Sequence, residues 1–218
     1  PARRDTMPCI MNALQLISTK HPHDEPIASI HADHHIRDVQ GFVQALKVAG
    51  EVSSEQNRIT LLGVEPHQPD SKYGHIHKGG VVGEEDFVYE VKGFKEKPEY
   101  SLAKEYFESG EYLWNMGYFV APYSVFEQAI RNNSDAHWGE QLDRLMGATS
   151  QDERDAIYLD FENLAIDYGL MEKTPDLLIM PGTFDWMDVG SFDDVFKITT
   201  QDEQSNAVVG DNVHLIDV

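Results

Sequence analysis

Cysteine occurs once in the 218 residues, at Cys9. Neither an intramolecular disulfide framework nor a thiolate cluster for structural zinc is therefore available, and ordinary burial must hold the fold. No run approaches the roughly 20 consecutive apolar residues of a membrane helix, and no basic, apolar leader opens the chain, so the sequence predicts a cytoplasmic protein. Positive charge is also scarce: 17 Lys and Arg stand against 38 Asp and Glu, a formal net charge of −21. A field of that sign repels nucleic acid and anionic membrane surfaces. A phosphorylated small molecule would need a local exception, built from a metal ion or a few placed cations. Apolar residues make up 41% of the chain, enough for one good core and too many for a disordered chain.

Asp5 or Thr6 is placed to cap a helix with Pro8 in its first turn and Ile10, Leu14 and Ile17 at helical spacing. Cys9 reads as a small core residue of that helix. Pro26 to His31 reads as a buried strand ending at Ala32-Asp33, Asp38 opens an amphipathic helix, and Arg58 to Val64 is the next buried strand. Strand, helix, strand is the unit of an α/β fold with a mixed, mostly parallel sheet flanked by helices. Strands at Tyr73 to His77 and Phe87 to Phe94 are expected around a turn at Gly79-Gly80, the second alternating as an antiparallel or edge strand does. Ser101 is expected to cap a helix stopped by Gly110. A strand from Leu113 to Ala121, a helix opened by Pro122 and a helical stretch from about Trp138 to Gly169 follow. Leu177 to Met180 is a last inner strand, and Ser191 to about Ile198 a last helix.

Asp33 and Asp188 each follow a predicted strand end, where open α/β sheets place ligands. Two such carboxylates suit one shared magnesium ion with substrate phosphates, although an Asp in that position more often caps the next helix. Pro98 ends the alternating strand and keeps Lys97 extended, so that its ammonium projects toward a phosphate or else guards a sheet edge. Asn115 sits in an apolar strand and needs partners, either sugar hydroxyls or neighbouring backbone. Gly74 permits close approach of a ligand to the backbone or simply forms a turn. The histidines His31, His34, His35, His75 and His77 show no spacing typical of zinc. No phosphate-binding glycine loop, dinucleotide fingerprint or nucleophile elbow occurs.

In order along the chain, Arg4-Asp5-Thr6, Ala32-Asp33-His34 with Ile36 and Asp38, Tyr73-Gly74-His75-Ile76, Phe94 through Pro98, Leu113 through Phe119, Ile166-Asp167-Tyr168 with Met171-Glu172-Lys173, and Trp186 through Ser191 resemble the sugar nucleotidyltransferases. Within them the likeness is to bacterial mannose-1-phosphate guanylyltransferases and covers nearly the whole chain. Asp5, His75 and Met116 depart from the Asn, Tyr and Ser expected there. The family opens with a glycine-rich Gly-x-Gly-x-Arg loop and a Pro-Lys that cradle the triphosphate, and the chain begins after them. The resemblance thus implies a Rossmann-like nucleotidyltransferase domain over residues 1–200, truncated at its N-terminus, with 201–218 a linker and the start of a C-terminal β-helical segment.

Carried over residue by residue, the resemblance implies that Asp33 and Asp188 hold Mg2+, that Lys97 meets the sugar phosphate, and that Gly74, Glu96 and Asn115 contact the sugar. Asp167 and Glu172 would lie close to that pocket, and Thr6 near the base. The implied reaction joins GTP and mannose 1-phosphate into GDP-mannose and pyrophosphate. Without the phosphate loop, the chain alone is expected to be inactive. A catalytically silent sugar-phosphate-binding or regulatory subunit and a transferase for another hexose 1-phosphate or nucleotide stay open alternatives, as does homo-oligomerisation.

Overall fold

A computed structural model describes residues 2–83, 86–210 and 213. Helix α1 (Thr6–Ser18) starts at Asp5, whose side chain accepts from the Thr6 N–H. Its inward stripe is Met7, Met11 and Leu14, all fully buried. Cys9 lies well round the helix from Met7 and is exposed, so it is not the core residue expected. Strand β1 (Pro26–Ser29) is followed by the short β2 (His34–His35) and by α2 (Val39–Gln56), capped by Asp38 on the Gly41 N–H. Next come β3 (Thr60–Val64), β4 (His75–Val81), β5 (Tyr89–Lys95) and α3 (Tyr100–Ser109). Gly79 and Gly80 lie inside β4 rather than in a turn, and Glu99, not Ser101, precedes α3 as its cap. The 11-residue β6 (Tyr112–Pro122) leads into α4 (Tyr123–Asn133). The stretch expected to be one helical region breaks into α5 (Ala136–Met146), α6 (Gln151–Leu159) and α7 (Ile166–Gly169). A 3-10 turn (Met171–Lys173), β7 (Leu178–Pro181), β8 (Met187–Asp188) and α8 (Phe192–Ile198), capped by Ser191, complete the described chain. Of the C-terminal segment expected over 201–218, residues 211–212 and 214–218 lie outside the described ones.

The main sheet is mixed, in the order β1-β6-β3-β7-β5-β4, and a further β4–β6 pairing closes five strands into a circuit. β1, β3 and β7 run the same way, but the antiparallel β6 separates β1 from β3, so β3–β7 is the parallel pair among the described strands. The parallel share is therefore smaller than expected: the β1-α2-β3 crossover skips one position, which a strand arriving later fills. Among the described strands β1 pairs with β6 alone, and it is partly exposed rather than buried. Leu61 joins one hydrophobic core with α1, α4 and α5, whereas Leu62 joins a second with α2. Consecutive residues of a strand point to opposite faces, so both faces of the sheet are covered by helices.

The feature that positions the site is the long β6. One edge is paired by β3; the other is shared end to end by β1, at Phe119–Pro122, and β4, at Tyr112–Trp114. Residues 115–118 lie at the seam between β1 and β4. There the β3–β6 register shifts, and Gly117 turns to a positive φ of 71°.

Candidate functional site

Six of the sequence-predicted residues converge at this seam. The Asn115 N–H donates to the Gly74 carbonyl at 2.8 Å. The Asn115 side chain donates from Nδ2 to Asp167 Oδ1 at 2.9 Å and accepts from the Gly117 N–H at 2.9 Å. Its expected need for partners is thus met by one carboxylate and one backbone group. A Cβ on Gly74 would collide with Glu96 Oε2 and lie 3.1 Å from Asn115 Cβ, so a larger residue there would force the Glu96 carboxylate to move. The Glu96 N–H donates to Glu172 Oε1 at 2.9 Å, and Lys97 Nζ sits 3.1 Å from Glu96 Oε1. Glu96 Oε2 is buried and has no hydrogen-bond partner among the described residues.

Three carboxylates in so small a space set the electrostatics. Burial, reinforced by the charge of Glu96, pushes Asp167 up to about 6, against the opposing pull of its Asn115 hydrogen bond and of Lys97. Burial opposes the charge on Lys97, but its hydrogen bond and ion pair with Glu96 outweigh this and raise its pKa. Lys97 is not extended as expected: its φ is 44°, in the left-handed region that costs a non-glycine residue about 1 kcal/mol or more.

Asp33 and Asp188 belong to the neighbouring end of the seam. Asp33 is exposed in the bend after β1, and Asp188 lies in β8 directly opposite His34 of β2. The Asp185 carboxylate accepts from the Arg37 and Asp38 N–H groups at 3.0 and 2.7 Å, tying the β7–β8 loop to the start of α2. These backbone bonds hold Asp185 below the usual carboxylate range. Between the two carboxylates, His34 Nδ1 meets Tyr118 Oη at 2.7 Å and the Trp186 indole at 3.0 Å. Burial pushes Tyr118 up to about 12, with the charges of Asp33 and Asp188 adding to it. Burial and then His31 depress His34, against the pull of Asp188 and Asp33.

Thr6 does not reach this ground. Its hydroxyl accepts from the Ile166 N–H at 2.8 Å, fastening α1 to the segment that carries Asp167.

Sequence reasoning missed Tyr118, Trp186, Tyr73 and Trp114. A cavity of about 570 Å3 is lined by Tyr73, Trp114, Trp186 and Asp188 together with Lys72 and Lys197; of the sequence-predicted residues, Asp188 alone is in its lining. That volume suits a small polar ligand. The buried Trp114 Nε1–H has no partner among the described residues. A slightly larger hollow, about 600 Å3, runs along β1 and α2 and contains none of the predicted residues. No helix among the described residues is long and apolar enough to cross a membrane.

The family model for nucleotidyl transferases matches residues 1–205. The xanthan biosynthesis protein XanB of Xanthomonas campestris is 34% identical over 99% of the chain and 46% of its own length. A mannose-1-phosphate guanylyltransferase of Escherichia coli is 28% identical over 98% of the chain and 47% of its own. The chain thus spans about half the length of these curated relatives. A solved structure from Thermus thermophilus, described as a mannose-1-phosphate geranyltransferase, superposes with a TM-score of 0.80 at 30% identity, covering 93% of the chain and 57% of that protein. The mixed sheet covered on both faces, the residues gathered at its seam and the match over almost its whole length place the chain in the nucleotidyl transferase family.

Proposed function

We propose that the protein transfers a guanylyl group from GTP to mannose 1-phosphate, giving GDP-mannose and pyrophosphate. One observation carries the assignment of the sugar half. Gly74, Glu96, Lys97, Asn115, Asp167 and Glu172, drawn from five separate segments, meet around a buried carboxylate oxygen that lacks a donor among the described residues. A hexose hydroxyl is a donor of the right kind and size, and a carboxylate acceptor makes the stronger, charge-assisted form of that bond. The names of the E. coli and T. thermophilus relatives favour mannose 1-phosphate as the sugar.

In the transfer, an oxygen of the sugar 1-phosphate bonds to the α-phosphorus while the bond to the bridging oxygen breaks and pyrophosphate leaves. The nucleophile is already anionic near neutral pH, so the side chains are left with positioning and charge neutralisation rather than proton removal. Glu96 and Asn115 orient the sugar, and the Lys97 ammonium, held charged by Glu96, faces its phosphate. Asp33 and Asp188 would hold Mg2+, which when bound neutralises charge between the two reacting phosphates. The fit is chemical: both are unpaired by any cation among the described ion pairs and flank the same two residues, His34 and Tyr118.

The test is pyrophosphate release by the full-length protein with each of GTP, ATP, UTP and CTP, against mannose 1-phosphate and glucose 1-phosphate. Release that requires GTP and mannose 1-phosphate together supports the assignment. Equal release with every pairing, or none with this one, overturns it.

A further inference from the structure

Asp33 and Asp188 lie on segments far apart in sequence, and the backbone pairing that joins those segments is slight. The antiparallel ladder of β2 with β8 is two residues long, His34 opposite Asp188 and His35 opposite Met187. A ladder this short does not sustain itself in water, and a slip of one residue would turn Asp188 to the other face. Side chains must therefore fix its register. Asp185, which accepts from the Arg37 and Asp38 N–H groups, closes one end. At the Asp33 end the described side-chain hydrogen bonds are those of His34.

His34 joins three segments through one nitrogen. Its Nδ1 accepts the Trp186 indole N–H at 3.0 Å and meets Tyr118 Oη at 2.7 Å. An indole N–H can only donate, so Nδ1 presents its lone pair and the ring proton is on Nε2. Trp186 stands two residues before Asp188 on the same segment and meets the His34 ring edge-on, with centroids 5.2 Å apart. Tyr118 belongs to the seam of β6, is 1% exposed and packs on Phe42 of α2, with ring centroids 5.4 Å apart. The imidazole is thereby tied to the sheet on one side and to the segment of Asp188 on the other, while its own backbone adjoins Asp33.

We propose that Tyr118 and Trp186 are positioning residues for the transfer: by holding His34 Nδ1 they keep the β2–β8 ladder in the register that sets Asp33 and Asp188 on one ion. This deepens the proposed function and rests on the assignment of both carboxylates to Mg2+. What His34 must supply is an acceptor at the Nδ1 position, not an imidazole. Asparagine carries its amide oxygen one bond beyond Cγ, as histidine carries Nδ1, whereas leucine fills a similar volume with no acceptor.

Mn2+ is the probe, since like Mg2+ it takes carboxylate and water ligands and its free aqueous ion is counted by electron paramagnetic resonance. It is titrated into the full-length protein without substrates. Tyr118→Phe and Trp186→Phe keep an aromatic ring and remove one donor each; each should weaken Mn2+ about 5-fold or more. His34→Leu should weaken it about 10-fold or more, and His34→Asn should bind as the wild type does. Adding Tyr118→Phe to His34→Leu should cost nothing further, because both act through one nitrogen. Circular dichroism and the melting temperature should stay close to wild type in the two Phe variants, which separates lost position from lost fold. Wild-type Mn2+ affinity in His34→Leu or in both Phe variants, His34→Asn as weak as His34→Leu, or additive losses in the double variant overturns the proposal. Asp33→Asn tests the underlying assignment by itself. If it binds Mn2+ as wild type does, the carboxylate assignment falls and the positioning role with it; if it loses Mn2+ while His34→Leu does not, the positioning role alone falls. None of these readings uses turnover, so failure of the transferase assignment would be seen separately in pyrophosphate release.

Discussion

Asp167→Asn separates the stability of the fold from the requirements of the site. The wild-type carboxyl is lifted from 3.8 to about 6 by burial and by Glu96. Between those values the folded protein binds a proton that the unfolded chain has released, so stability falls as pH rises through about 4 to 6. At about 1.4 kcal/mol per pH unit, the ionised group costs the folded state roughly 2–3 kcal/mol at pH 8. Asparagine keeps the shape and an oxygen for the Asn115 Nδ2 hydrogen bond but carries no charge. The variant should therefore be more stable than wild type by about 2 kcal/mol at pH 8, with the advantage gone by about pH 4. His34 and His75, both depressed by burial, contribute the opposite slope, because stability is lost as they are forced to charge on acidification. Both proteins share that contribution, so it cancels in the difference. Urea unfolding of the pair at half-unit pH intervals reads the difference directly. A difference that stays flat from pH 4 to 8, or a variant less stable at pH 8, would refute the reasoning.

Asp33→Asn and Asp188→Asn should each lower the turnover number by about 100-fold, the scale for losing one preorganised electrostatic partner, with little change in melting temperature. Helix caps would tolerate the same change nearly silently, since Asn caps about as well as Asp. Gly74→Ala drives a methyl into Glu96 and Asn115; thermal unfolding should show a loss of about 1–3 kcal/mol, and the KM for the sugar phosphate should rise. Lys97→Gly relieves the left-handed backbone and should raise stability by about 1 kcal/mol while raising that KM. Lys97→Met should raise the KM without the gain in stability, and more for the sugar phosphate than for GTP.

Local chemistry made much of the chain legible. The cap at Asp5, the helix starts at Asp38 and Ser191, the Gly110 stop and the Pro122 helix opening are decided within a few residues of sequence, and the structure follows them. What depends on pairing order was not legible. The insertion of β6 between β1 and β3 is a contact between segments some 90 residues apart, and it turns a strand read as buried into a sheet edge. Cys9 was misplaced because its apolar neighbours suggested a face that the helical angle from Met7 denies it. At the candidate site, Asn115 in an apolar strand signalled an interior polar group correctly, but its partner Asp167 is 52 positions on. The anchoring of His34 by Tyr118 and Trp186 spans 84 and 152 positions, and nothing in either aromatic residue's own surroundings announces it. Lys97 was read as extended from the following proline, whereas the ion pair with Glu96 accompanies a left-handed twist.

Calorimetric titration of mannose 1-phosphate into wild-type and Glu96→Gln protein, with inorganic phosphate as the reference ligand, bears most directly on the seam of β6 as a sugar-phosphate site. Saturable binding of mannose 1-phosphate well above that of phosphate is expected in the wild type, falling about 10-fold or more in Glu96→Gln as the charge-assisted bond to the hexose is lost. Equal affinity of the two proteins for mannose 1-phosphate, or no preference for it over phosphate, would contradict the account.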